Sequence, residues 1–309
     1  MQALLADALK TGDAGLAIDV VQAGERDLDI RLQDGQIWLT HDGRRFITDP
    51  QSYERSLSIP LAGLTRDQAA TELRKALFGL ARAENLIRVA SAAQLGSTPN
   101  DDVQITLESL RETDAARRAD AKRRCGDLSR PSAPIVIASG DPAPVSHCDQ
   151  VRITVTNRSE RDFFVGIFYL TPTGGILLPV RTWRQDGCVT FTPAKATRPL
   201  VTLTPIQTWT DAGPIHAGVY RVLVFAIPRT QTTALNLCHL IQPDLAAARK
   251  TMVALRNQGE RKGLLGLIDK IAVGDPSLRN ANPFEQQPED AFSVPVRQFT
   301  LDVRAPAEN

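Results

Sequence analysis

The stretch DQVRITVTNRSERDFFVGIFYLTPTGGILLPV, Asp149 to Val180, decides how the rest of this chain is read. Val151, Ile153 and Val155 alternate with polar residues, the period-2 pattern of a strand with one buried face. Phe163 to Leu170 is apolar at almost every position, as a strand covered on both faces is. Asn157-Arg158-Ser159 between the two strands is formally a glycosylation sequon, but it is built from turn-forming residues and predicts a hairpin turn. The segment closes on Gly174-Gly175-Ile176-Leu177-Leu178-Pro179 and carries no catalytic group. Its signal is architectural.

Strand patterns continue on both sides of it. Ile135 to Ile137 lies upstream; Val189 to Thr192, Leu200 to Ile206 and Val219 to Ile227 follow. Near the C-terminus Phe292, Val294 and Val296 keep one alternating phase and Phe299, Leu301 and Val303 another, so a β-bulge or a bend is expected near Arg297. Between these strands, Leu245, Ala248, Met252 and Leu255, then Leu264, Leu267, Ile268 and Ile271, mark two amphipathic helices within 243–272, and a polar loop runs from Gly274 to Asp290. Six or seven strands at this spacing predict an antiparallel β-sandwich of immunoglobulin-like type over 134–309, with the two helices inserted late.

The first third of the chain reads differently. Leu16, Ile18 and Val20, then Leu28, Ile30 and Leu32, alternate; Asp34-Gly35 supplies the positive φ of a tight turn before Ile37-Trp38-Leu39, and Asp42-Gly43 is a second turn. This predicts a small meander. From Arg66 to about Ala93 the period becomes helical, with Leu73, Leu77, Leu80, Ala83, Ile87 and Ala90 on one face, and Thr65 with Gln68 forms a capping box. Val103, Ile105 and Leu107 alternate as one more strand. The charged, then Ser- and Pro-bearing stretch over 113–133 reads as a linker, which gives an accessory α/β region at 1–112 and an α+β chain overall.

Composition excludes several functions. A formal charge of +1 in 309 residues gives no electrostatic case for nucleic-acid binding. The cluster Arg117, Arg118, Lys122, Arg123 and Arg124 is interrupted by Asp114, Asp120 and Asp127 and has no aromatic residue for base stacking, so it reads as a solvated helix face. No eighteen-residue apolar window suggests a membrane span. MQALLADALKTGDAG carries Asp7 and too short an apolar run for a secretory leader. A cytoplasmic location is the default expectation, with the envelope as alternative if the chain is a fragment of a longer protein.

No Gly-x-Ser-x-Gly, P-loop or HExxH occurs. Gly259, Gly263 and Gly266 follow a helical pattern rather than a strand, so they read as a helix-helix turn. His41, His147, His216 and His239 share no metal-ligand spacing. His147-Cys148 and Cys238-His239 are sequence neighbours, and adjacent strand residues point to opposite faces, so neither pair makes a nucleophile and its base. Cys238 with His147, or Cys188 with His216, stays open as a pairing across space. Asp101-Asp102 and Glu289-Asp290 read as solvated turn residues rather than acid-base or calcium sites. Cys125, Cys148, Cys188 and Cys238 contain no CxxC, and at this chain size free thiols are expected, with disulfides Cys125–Cys148 and Cys188–Cys238 as the alternative. No catalytic residue, cofactor or metal is assigned.

Several short phrases resemble the non-catalytic C-terminal region of bacterial caspase-like, metacaspase-type proteins. They are Asp27-Leu28 with Asp34-Gly35-Gln36-Ile37-Trp38-Leu39, then Asn85-Leu86-Ile87-Arg88, Asn157-Arg158-Ser159, and Gly175-Ile176-Leu177-Leu178-Pro179, the last a shortened form of the family's close. The peptidase domain of that family presents Ser-Gly-His-Gly and Asp-x-Cys-x-Ser-Gly loops. The nearest approaches here, His41-Asp42-Gly43 and Asp186-Gly187-Cys188, lack the flanking residues, and no catalytic residue is carried over. The resemblance implies a regulatory or partner-binding module working beside a caspase-like cysteine peptidase, in the same chain or another. An exposed sandwich edge or the face bearing Phe163, Phe164, Phe168 and Tyr169 is the expected protein contact, with at least half of those aromatics expected in the core instead, and oligomeric state is not indicated. A thiol hydrolase fragment completed by another chain, and an envelope-associated structural β-sandwich, are the alternatives.

Overall fold

The computed structural model describes residues 2–10, 28–41, 45–49, 52–96, 102–120, 125, 132–179, 187–206, 209–210, 213–214, 217–229, 236–242 and 295–305. The expected strand at Leu16 to Val20, the turn at Asp42-Gly43, the helices within 243–272, the loop to Asp290 and Phe292 and Val294 lie outside these residues. So do Lys122, Arg123, Arg124, His216 and Gly259 to Gly266.

After α1 (Gln2–Lys10), strands β1 (Leu28–Gln33), β2 (Gln36–His41) and β3 (Leu57–Pro60) form a three-stranded antiparallel sheet in the order β1-β2-β3. Asp34 and Gly35 take φ values of 51° and 68°, as a two-residue turn of this type requires. Helix α2 (Arg66–Gly96) starts on the expected capping box: Gln68 N donates to Thr65 Oγ1 at 3.3 Å and Thr65 N donates to Gln68 Oε1 at 2.8 Å. Its first half, through Ala70, Leu73, Ala76, Leu77 and Leu80, packs with Leu5, Ala8, Ile37, Leu39, Leu57 and Ile59. Its second half serves another core.

That second core belongs to a larger sheet. Strands β4 (Val103–Leu110), β5 (Ile135–Ile137), β7 (Gln150–Asn157) and β11 (Thr197–Pro205) form a four-stranded sheet in the order β11-β7-β4-β5. Facing it are β6 (Pro142–Val145), β8 (Phe163–Leu170), β10 (Thr190–Thr192), β14 (Gly218–Pro228) and β15 (Val296–Val303), in the order β10-β8-β14-β15-β6, with β9 (Ile176–Leu177) attached to β8. β6 runs parallel to β15; every other pair in the two sheets is antiparallel, and β12 (Trp209–Thr210) and β13 (Gly213–Pro214) form a separate antiparallel pair. Val151, Ile153, Val155, Leu107, Val165, Ile167, Val222, Val224, Phe299 and Leu301 share the cluster between the sheets. On the outer side of the larger sheet, Phe168, Leu170, Leu223, Phe225 and Val296 meet Ala83, Leu86, Val89, Ala90 and Ala93 of α2. The both-face apolar character of Phe163 to Leu170 thus has its cause in a helix on one side and a sheet on the other.

Three expectations are corrected here. First, β7 and β8 are not a hairpin, because they lie in different sheets. Asn157 turns the chain from one sheet to the other: its Nδ2 donates to Arg161 O at 2.7 Å and Pro193 O at 2.9 Å, and its Oδ1 accepts from Ser159 N and Ser159 Oγ. At 1% exposure Asn157 is a buried turn organiser, not a glycan acceptor in this fold.

Second, β4 pairs with β7 over all eight of its residues, from Val103↔Asn157 to Leu110↔Gln150. The four-stranded sheet therefore draws on both sides of 113–133, and a boundary at 112 would cut it. Third, β15 has no bulge: its register with β14 is unbroken from Phe225↔Val296 to Gly218↔Val303. The phase slip near Arg297 arises because Val296 faces α2 while Phe299, Leu301 and Val303 face the other sheet. A strand covered on both sides can place its large residues on either face without shifting register.

Candidate functional site

Among the described residues, one end of the two-sheet unit collects four buried polar side chains. His147 is fully buried, and Asp149, Glu112 and Gln150 are at most 2% exposed. Three segments bring them together: the end of β4, the short helix α3 (Ala115–Ala119) and the turn that leads into β7.

Asp149 is the organiser. Its Oδ2 accepts from Ser146 N at 2.8 Å and its Oδ1 from Glu112 N at 3.0 Å, so one carboxylate satisfies backbone donors from two segments. Glu112 continues the chain of contacts, its Oε1 accepting from Asp114 N at 3.0 Å and its Oε2 pairing with Arg117 Nη1 at 3.2 Å. Asp114 caps α3 by accepting from Ala116 N and Arg117 N. Arg118 donates to Ser146 Oγ at 3.0 Å and ties the helix back to the turn. Each carboxylate here is engaged as an acceptor from backbone or Arg117, which suits positioning rather than proton transfer.

Cys148 sits in the same turn with φ of 65°, and its N–H donates to Ile206 O at 2.8 Å. Its sulfur is bonded to Cys125, with Cα atoms 5.1 Å apart. The imidazole of His147 lies against this disulfide, with Nε2 3.4 Å and Nδ1 3.8 Å from Cys125 Sγ. Cys125 Sγ, Cys148 Sγ and one His147 nitrogen lie within 4.8 Å of one another. Reading His147 only against its sequence neighbour Cys148 missed this, because the sulfur that meets the ring comes from 22 residues upstream.

The second disulfide, Cys188–Cys238, spans 50 residues and fastens the approach to β10 onto the turn at Cys238–Leu240. Leu237 N donates to Gly187 O at 2.8 Å beside it. The free-thiol expectation is thereby overturned: no described cysteine is free, and the pairing is the one weighed as the alternative. Sequence spacing is silent on such pairs because the strands, not the intervening residues, bring the Cα atoms together. Neither Cys188 nor Cys238 is a nucleophile in this oxidised state, so the thiol pairings with His147 and His216 have no thiol to act on.

The four aromatic residues expected to make a contact face do not form one. Phe163 is buried between the sheets and Phe168 against α2; Phe168 stacks edge-on to Phe225 at 6.2 Å. Tyr169 packs against the inter-sheet cluster with its hydroxyl enclosed and without a hydrogen-bond partner, and burial pushes its pKa up. Phe164 is half-buried against the core on the α2 side and meets Phe191 edge-on at 6.2 Å, with Arg229 over the Phe191 ring at 5.3 Å. Among the described residues of the two-sheet unit, the exposed large apolar side chains are Phe191 and, on β5, Ile135 and Val136 at 45% and 65% exposure.

Elsewhere, Arg82 of α2 is 5% exposed, donates to His239 O, and has its pKa lowered to about 10 by burial. A cavity of about 130 Å³ lies between α2 and the larger sheet, lined by Leu80, Ile87, Leu170, Pro172 and Val219 with Glu84 and Arg221 at its rim. It is well under the ~300–1,000 Å³ of small-molecule pockets. None of the described helices is long and apolar enough to cross a membrane. Comparison with protein families, curated proteins and solved structures finds no match, so the function rests on the residues and geometry above.

Proposed function

We propose that this chain is a non-catalytic protein-binding module, a β-sandwich of immunoglobulin-like type with a small meander attached, that works beside a caspase-like cysteine peptidase in cis or in trans. The observation that carries the reading is the edge strand β5. It is last in its sheet, pairs only with β4 among the described strands, and leaves Ile135 and Val136 exposed. Sheet edges with outward apolar side chains accept an extended partner strand, main-chain hydrogen bonds giving affinity and the side chains giving register. The peptidase as partner rests on the short phrases quoted above. The expected Phe163–Tyr169 face gives way to the β5 edge as the contact.

The two disulfides support an oxidising compartment, the envelope, as the alternative to the cytoplasm in this reading. The test is co-purification with a caspase-like peptidase domain, comparing wild type with Val136→Pro, which removes a main-chain donor from the edge strand and fixes its φ. Retention of the peptidase by wild type and its loss in Val136→Pro supports the proposal. Absence of binding, together with no change in peptidase activity, overturns it.

A further inference from the structure

We propose that Cys125, Cys148 and His147 form a redox-gated metal site: once the Cys125–Cys148 disulfide is opened, the two sulfurs and the imidazole take a thiophilic divalent cation of the zinc type. This goes beyond partner binding, since neither the β5 edge nor any peptidase enters the argument.

The donor set has the chemistry zinc selects, two thiolates and an imidazole. The geometry fits as well. With Zn–S near ~2.3 Å and Zn–N near ~2.05 Å, a tetrahedral centre sets neighbouring S and N donors about 3.5 Å apart and two sulfurs about 3.8 Å apart. Cys125 Sγ and His147 Nε2 are already at 3.4 Å, and all three donor atoms lie within 4.8 Å of one another. The sulfur–sulfur separation has to open, which cleavage of the bond provides, and Cys148 Sγ has to settle at the same ~3.5 Å from the ring nitrogen, starting from within 4.8 Å.

The surroundings hold the site while it opens. His147 is fully buried, and the turn that carries Cys148 is pinned on both sides. Ser146 N donates to Asp149, Cys148 N to Ile206 O, and Ile206 N to Asp149 O at 2.7 Å. Cys125 is the partly exposed member, so reductant and cation reach the site from its side. Three protein ligands leave a fourth position for water or a small ligand, the arrangement of an open rather than a closed zinc site.

The chemistry balances as follows. A dithiol reductant attacks the disulfide and ends as its own disulfide, delivering two electrons and two protons that leave Cys125 and Cys148 as thiols. Both thiols lose their protons to solvent as the cation binds through sulfur, and His147 binds through one neutral ring nitrogen. A small-molecule disulfide reverses the sequence by thiol–disulfide exchange: its two sulfurs take the two electrons and, with two protons from solvent, leave as thiols, while Cys125–Cys148 re-forms and the metal is released.

Cobalt(II) alone, added to the full chain, is the probe. After reduction with a phosphine and its removal, one equivalent is expected to bind, giving sulfur-to-cobalt charge-transfer absorption in the near ultraviolet and the intense visible bands of tetrahedral cobalt. Zinc should then displace it. The oxidised chain should give neither set of bands. Cys125→Ser/Cys148→Ser, which keeps Cys188 and Cys238, should lose them, and His147→Ala should weaken binding by more than the ~100-fold that outer-shell partners are worth. Far-UV circular dichroism establishes that the reduced chain and each variant are folded. The proposal is overturned if the folded, reduced chain gives no tetrahedral cobalt spectrum, if the double serine variant keeps it, or if reduction unfolds the chain with and without cobalt.

Discussion

Replacing Gly166 by alanine tests whether the sheet and the Cys238–Leu240 turn pack as described. Gly166 lies in the middle of β8, opposite Phe225 of β14. A Cβ there would stand 2.8 Å from Leu237 Cδ1, 3.2 Å from Phe168 Cε2 and 3.7 Å from Val189 Cγ1. Apolar carbons rest at about 3.5–4.0 Å, so Leu237 would have to retreat by about 0.7 Å. Leu237 has little freedom to do so: it is fully buried, its N–H is held by Gly187 O, and the next residue is in a disulfide.

In an open strand, glycine to alanine would stabilise by roughly 0.5–1 kcal/mol, and the close approach should reverse that sign. Overpacking at such a site costs about 1–3 kcal/mol. Leu237→Ala alone should cost about 2–5 kcal/mol through the cavity it leaves. In Gly166→Ala/Leu237→Ala the new methyl no longer clashes and fills part of that cavity, so the double variant should be less destabilised than the sum by about 1–2 kcal/mol. Urea denaturation followed by far-UV circular dichroism measures all four members of the cycle. Gly166→Ala at or above wild-type stability, or additivity within about 0.5 kcal/mol, refutes the packing argument.

Further outcomes are expected. Tyr169→Phe should be neutral or stabilising, by up to about 2 kcal/mol, since the enclosed hydroxyl has no partner; thermal midpoints measure it. Because burial raises the Tyr169 pKa, the folded state keeps a proton that the unfolded state loses above about pH 10, so stability should fall with pH there and fall less in Tyr169→Phe. Asn157→Asp should cost about 2–4 kcal/mol by chemical denaturation, because it exchanges donors to Arg161 O and Pro193 O for a carboxylate facing two carbonyls. Asp149→Ala should cost a similar amount by orphaning Ser146 N and Glu112 N. Iodoacetamide should label no cysteine of the native chain before reduction. Removing the Cys125–Cys148 link should cost roughly 3 kcal/mol and the longer Cys188–Cys238 link roughly 4 kcal/mol, on loops of 23 and 50 residues.

What sequence could convey here was local. The Thr65–Gln68 capping box and the helical period after it are encoded within a few residues, and α2 begins where they place it. The Asp34-Gly35 turn is legible for the same reason. Asn157-Arg158-Ser159 announces a turn equally well, but nothing in a turn's composition says whether the next strand continues the same sheet or opens another. That choice is made by the partners, β4 and β11 for β7, β14 and β10 for β8. The site was illegible for a related reason. His147 meets a sulfur supplied by Cys125, and the residues between them carry no periodic trace of the contact. For Phe163, Phe168 and Tyr169 the sequence leaves contact face and core both open, because aromatic character alone does not distinguish them.

Helix α2 belongs to two cores at once. Ala70 to Leu80 wall one side of the small sheet's interior, and Ala83 to Ala93 wall one side of the larger sheet's. A straight helix of 31 residues is about 46 Å long, so one rod serves as structural member for both units. Neither unit is therefore separable at a loop: a cut after residue 96 leaves Phe168, Leu170 and Phe225 without their cover, and a cut before residue 66 strips the other end. The inheritable piece is the helix together with both sheets, and displacement of the small sheet by a partner would tilt a beam whose far end rests on β8, β14 and β15.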